Sequence, residues 1–138
     1  MNKKGLTLVE VSIVVVIMSI LAMIALPSVQ LSVKRGDEIE LKRVLRKTRE
    51  AIDKYWENQN KITPGGIDGL KYPKDLQTLL DNKILRNLPV DPMTGEGEWH
   101  FISSTDDKDS KETNGDNIWN LRSISEDLAI DGTEYSTW

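Results

Sequence analysis

The 138-residue sequence has no cysteine and a single histidine, His100. Without cysteine there is no disulfide framework and no thiolate metal site. With one imidazole and no thiol, neither a zinc site nor a catalytic triad has the residues it needs, and His100 reads as an ordinary strand residue. No glycine-rich phosphate loop is present, and the short Gly95-Glu96-Gly97 amounts to a turn. A basic surplus is also missing. Lys and Arg number 18 against 22 Asp and Glu, a net charge of -4, whereas a nucleic-acid surface wants a basic face. These absences argue against an enzyme and against a nucleic-acid partner.

Charge is missing in a second, local sense. Between residues 6 and 33 the only charged side chain is Glu10. An α-helix needs roughly 20 apolar residues to cross a bilayer core, and the stretch from Val11 to Val33, rich in Val, Ile, Leu, Met and Ala, meets that length. In lipid a lone segment has to satisfy its own backbone, so it is helical despite its β-branched residues. Lys3 and Lys4 stand ahead of it and predict a cytoplasmic N-terminus. An ordinary cleaved secretory signal fits the basic start, but the apolar run is long for one and offers only weak small-residue cleavage options. A plain signal anchor leaves Glu10 unexplained. A carboxylate in the hydrocarbon costs a few kcal/mol on insertion scales, and the apolar segment holds no base to pair it. Pro27 withdraws one backbone donor and is expected to kink or loosen the helix.

Beyond Val33 the charges begin. Leu41, Leu45, Thr48, Ile52, Tyr55 and Trp56 recur at three- and four-residue steps, the pattern of a helix with one apolar face. Glu38 with Lys42, and Glu50 with Lys54, are spaced as i,i+4 pairs, and Gly36 is a soft point between the two halves. The basic cluster Lys42, Arg43, Arg46, Lys47 and Arg49 is interleaved with acids and reads as a solvated face. Pro64, Gly65, Gly66, Gly69 and Pro73 spell a loop. Leu76, Leu79, Leu80 and Ile84 then predict a short helix. Alternation through Trp99, Phe101 and Ser103 predicts one strand, and "NIWNLRSIS" a second. The charged stretch between them fails the spacing of a calcium-binding EF-hand loop. The acidic tail reads as a loop with at most one short strand. The four tryptophans, Trp56, Trp99, Trp119 and Trp138, read as core or loop anchors. The whole order describes an α+β fold: a long N-terminal α-helix, its first half transmembrane, packed against a small C-terminal antiparallel β-sheet.

The segment "KKGLTLVE" resembles the processing site of the type IV pilin superfamily. The resemblance implies a leader of residues 1–5, cut by a membrane prepilin peptidase between Gly5 and Leu6, with Leu6 then N-methylated. It implies a transmembrane and assembly helix over 6–33 and a pilin-like periplasmic head over 34–138 that includes the second half of the long helix. It makes Glu10 the partner of a neighbouring subunit's Leu6 amine, and Pro27 the place where the helix loosens on assembly. The pieces "YPKDL", "LPVDPMTGEGEWHF" and "NIWNLRS" further resemble the major pseudopilin of type II secretion systems. That narrower likeness implies a three-stranded sheet packed on the long helix. It also implies a calcium ion in the C-terminal loop, with Asp127 and Asp131 as side-chain ligands beside Ser125 or Glu126; the same stretch also reads as a packed loop without metal. No other cofactor is implied. The expected partners are further copies of the chain in a helical filament, minor pseudopilins, the inner-membrane assembly platform and its ATPase, the peptidase and the lipid bilayer. The expected location is the bacterial inner membrane, crossed once. Two other readings stay open: a type IV pilus subunit forming a surface fibre for adhesion, motility or DNA uptake, and a monomeric membrane-anchored binding module. The disulfide that commonly closes the last loop of type IV pilins cannot form here.

Overall fold

The computed structural model describes residues 7–107, 110, 113 and 115–138. Along them run helix α1 (Leu8–Ile62), a 3-10 turn (Asp68–Lys71), helix α2 (Leu76–Asp81), strands β1 (His100–Ile102) and β2 (Asn120–Arg122), and a second 3-10 turn (Tyr135–Thr137). The architecture is α+β. The chain divides into two compact units, one ending at Gly36 and one running from Asp37 to Trp138.

In the first unit the large apolar side chains of α1 from Leu8 to Val33 are all exposed. The helix is long and apolar enough to cross a membrane, by length and composition. In the second unit α1 changes character. Leu41, Leu45, Thr48, Ala51 and Ile52 are buried along one stripe, as the three- and four-residue spacing requires. Leu41, Leu45 and Ile52 meet Leu76, Leu79, Leu85, Trp99, Ile118, Leu121, Ala129 and Tyr135 in one core. Each fully buried Leu or Ile adds about 1.5–3 kcal/mol of transfer free energy. The expected i,i+4 pairs do not close. The ion pair on this stretch of α1 joins Arg43 to Glu40 at 2.6 Å, while Glu38 bonds the Ile130 N–H and the buried Tyr135 hydroxyl and Lys42 lies over the Trp138 ring, all in the C-terminal segment.

Helix α2 is short because both its ends are fixed by local chemistry. Asp75 caps the start, accepting from the Thr78 N–H and hydroxyl at 2.7 Å each, and those bonds hold its carboxyl below the usual range. At the other end Lys83 takes a left-handed conformation (φ 58°). Its N–H reaches the Leu80 carbonyl, and the Ile84 N–H reaches Leu79. This is a Schellman closure, and it normally carries glycine at the position of Lys83. Ile84 therefore packs back on the core from outside the helix.

Strands β1 and β2 pair antiparallel, His100 opposite Arg122 and Phe101 opposite Leu121. Among the described residues the sheet has two strands, where the pseudopilin likeness implied three. A further antiparallel contact is the isolated bridge between Leu128 and Glu134. The chain there turns too tightly to extend a ladder. Gly132 has φ 85°, and Ala129 bonds the Thr133 carbonyl across the turn.

The segment leading into β1 is organised by Asp91, which is wholly buried. Its backbone N–H bonds Glu96 and its carbonyl accepts from Gly95 (φ 73°). Its carboxylate accepts from the Met93 N–H at 2.8 Å and the Ser123 hydroxyl at 2.6 Å. Trp99 is anchored to the same turn through Nε1, which donates to the Pro89 carbonyl. The residues of "LPVDP" thus form a staple between the approach to β1 and the exit from β2. Replacing Asp91 by Ala orphans two donors, and we expect a loss of about 2–3 kcal/mol. Ser123→Ala removes one of the two Asp91 bonds and the acceptor of the half-buried Ser125 N–H, which water can still reach, and is expected to lose less, about 1 kcal/mol. Denaturant unfolding of the detergent-solubilised chain, followed by tryptophan fluorescence, measures both. Equal losses would show that Asp91 is not the organising group.

Candidate assembly site

Gly5 and Leu6 lie outside the described residues, so the site begins at Thr7. Thr7 is the cap of α1 and Glu10 is its third helical residue. The Glu10 N–H donates to Thr7 Oγ1 at 3.3 Å, and the Thr7 N–H donates to Glu10 Oε2 at 3.5 Å. This reciprocal arrangement is a capping box, and it satisfies two of the donors a helix start leaves open. A carboxylate in the first turn also faces the positive end of the helix dipole. Both bonds are long, and an ionised carboxylate has about four acceptor positions, so Glu10 retains room for a second, cationic donor. Thr7 escaped the sequence reading. Its signal was there, a Thr three residues ahead of a Glu at the head of an apolar run.

The polar side chains of the apolar stretch are turned inward on the helix. The hydroxyls of Ser12, Ser19, Ser28 and Ser32 donate to the carbonyls of Leu8, Val15, Ile24 and Ser28, at 2.8 to 3.3 Å. Back-bonding of this kind leaves no hydroxyl proton to be satisfied by lipid. Pro27 lies inside α1, which runs through it unbroken. Pro27 removes one donor, and helical bonding on either side carries the chain past it. The loosening expected of the assembled state is thus not a property of this single-chain structure.

The basic cluster is dispersed by its partners. Arg43 binds Glu40 through both nitrogens, which draws the Glu40 carboxyl down and pushes the Arg43 guanidinium up. Lys42 sits over the Trp138 ring, 4.1 Å from its centroid. Arg49 is half-buried and donates to Asn120 Oδ1 and to the carbonyls of Leu121 and Trp138. Of the five, Arg46 and Lys47 alone are exposed without such a partner among the described residues. His100 opens β1, with Nε2 3.1 Å from the Ser110 carbonyl.

Asp127 and Asp131 are both exposed in the C-terminal loop. Asp131 Oδ1 accepts from the Thr133 N–H at 3.0 Å and its hydroxyl at 2.6 Å, and these bonds lower its carboxyl pKa. Asp127 Oδ2 accepts from Ser125 Oγ at 3.4 Å. The carbonyls of Asp127, Ala129 and Thr133 accept from Tyr135, Gly132 and Ala129. Calcium wants six to eight oxygens converging on one point. Among the described residues no three of Asp, Glu, His and Cys gather in that way. Asp127 and Asp131 with no third such group beside them fall short of the oxygen set that calcium prefers.

Residues 1–26 match the family model described as the prokaryotic N-terminal methylation motif. No curated protein and no solved structure matches the chain. The matched stretch takes in Lys3 to Glu10 and most of the apolar run. Over these residues the chain carries a prepilin-type N-terminus, similar to that of type IV pilins.

Proposed function

We propose that the chain is the major structural subunit of a type II secretion pseudopilus, polymerising from the inner membrane to drive protein export. The observation that carries a filament role is the lone carboxylate of Glu10, held at the start of an apolar helix directly after the Gly5–Leu6 junction. Cleavage at that junction creates an ammonium on Leu6, and methylation to a secondary amine keeps it cationic at neutral pH. Inside the bilayer an unpaired carboxylate and an unpaired ammonium are each costly, and bringing them together recovers much of the cost. In this reading the pair forms between neighbouring copies and sets their register. The capping box holds Glu10 in place until the neighbour arrives, and the apolar side chains exposed in the single chain exchange lipid contact for contact with adjacent helices. The head lies in the periplasm, and the work comes from the ATPase of the assembly platform. The pseudopilus is favoured over a surface pilus by the "LPVDP" segment, whose Asp91 organises the approach to β1, and by the absence of cysteine from the last loop.

Three measurements test this reading. Intact mass and N-terminal sequencing of protein extracted from membranes should find a chain that begins at methylated Leu6; a chain still beginning at Met1, in cells that hold the peptidase, overturns the processing step. Glu10→Ala should collapse the crosslinked ladder formed in membranes, since breaking a buried pair costs about 3–5 kcal/mol. An unchanged ladder would instead make the chain a monomeric anchored module. A deletion strain should retain its exported proteins while keeping any surface fibres, and the opposite outcome, fibres lost and secretion intact, would assign the chain to a type IV pilus.

A further inference from the structure

The C-terminal segment is tied to α1 by charged side chains reaching across more than seventy residues of sequence. Glu38 Oε1 accepts from the Ile130 N–H at 2.7 Å and from the Tyr135 hydroxyl at 2.9 Å. Tyr135 is 2% exposed. Burial first, and the Glu38 carboxylate second, push its phenol up to about 12, so it remains a donor at every physiological pH. Arg49 works in the opposite sense. Its Nη2 donates to the Leu121 carbonyl at 3.0 Å and the Trp138 carbonyl at 2.7 Å, while Nε donates to Asn120 Oδ1 at 2.7 Å. Gathering carbonyl and amide oxygens from separate stretches of chain is what a bound cation does in a loop. Here a guanidinium does it, and its charge is permanent even where desolvation and the neighbouring Arg122 lower its pKa. The segment is then locked on itself: the Tyr135 and Trp138 rings meet edge-to-face at 5.1 Å, and Trp138 Nε1 donates to Thr133 Oγ1 at 2.7 Å.

We propose that two fixed charges of α1 close the C-terminal segment in place of a loop-bound divalent cation, Arg49 by donating to oxygens of the head and Glu38 by accepting from the Ile130 N–H and the Tyr135 hydroxyl, so that the head is stable without calcium. This holds for a pseudopilus and for a surface pilus alike, because it concerns the folding of one chain. Asp127 and Asp131 are left as surface turn residues, Asp127 accepting from Ser125 and Asp131 from Thr133.

The test uses the full chain in detergent. Thermal melting, followed by near-ultraviolet circular dichroism of the tryptophans, should give the same midpoint in excess calcium chloride and in EGTA, and calorimetric titration with calcium should give no binding heat. Glu38→Gln should lower the midpoint and speed exchange of the Ile130 amide by about tenfold, the loss of one charge-assisted hydrogen bond. Arg49→Gln should lower the midpoint further, and calcium should restore neither variant. A calcium-raised midpoint in the unmodified chain that Asp127→Asn or Asp131→Asn abolishes would overturn the proposal. So would a Glu38→Gln chain whose midpoint and Ile130 exchange are unchanged. The calcium comparison on the unmodified chain decides the matter even if Arg49→Gln does not fold.

Discussion

A carboxylate at the head of an apolar helix is the constraint around which the N-terminal unit is arranged. Glu10 sits where the macrodipole and two open backbone donors favour it, and its partner Thr7 completes the box. In the proposed processing, the new N-terminal ammonium arises four residues ahead of it in the sequence. Local capping and pairing between subunits are therefore not rivals. The cap keeps the side chain aligned along the helix start, where a second donor can reach its remaining oxygen. Beyond Glu10 the helix has to hide every backbone and hydroxyl group from hydrocarbon, and the four serines do so by bonding carbonyls one turn back.

What the sequence made legible was whatever repeats or whatever is local. The apolar run, the amphipathic stripe from Leu41 to Ile52, the strand alternation around Phe101 and the Asn120–Arg122 strand all follow from side-chain periodicity. The N-terminal site was legible because its chemistry lies within eight consecutive residues. The end of α2 was not, since Ile84 keeps the helical spacing yet lies beyond a left-handed Lys83, a conformation that glycine usually signals. The third strand was a borrowed expectation, and the bonding around Gly132 shows a closed turn in its place.

The ties at the C-terminus were least legible of all. Glu38 looks like a member of an i,i+4 pair with Lys42, and Arg49 looks like one of five solvated bases. Their actual partners lie 71 to 97 positions away, and no local pattern encodes a contact of that range. Energetics explains why the local pairs lost. An exposed i,i+4 pair is worth about 0.3–0.5 kcal/mol, whereas a hydrogen bond to a charged group is worth about 1.5–3 kcal/mol. Each charge went to the stronger and more buried partner.

That allocation also bears on what α1 can offer to another molecule. A helix face with Lys42, Arg43, Arg46, Lys47 and Arg49 all outward would be a strong positive patch. Here Lys42 covers an indole, Arg43 is neutralised by Glu40 and Arg49 is spent on three oxygens of the head. Arg46 and Lys47 are too few to hold a polyanion against physiological salt, because affinity for a phosphate backbone grows with each phosphate neutralised. Local pairing thus disperses a cluster that looks continuous in the sequence.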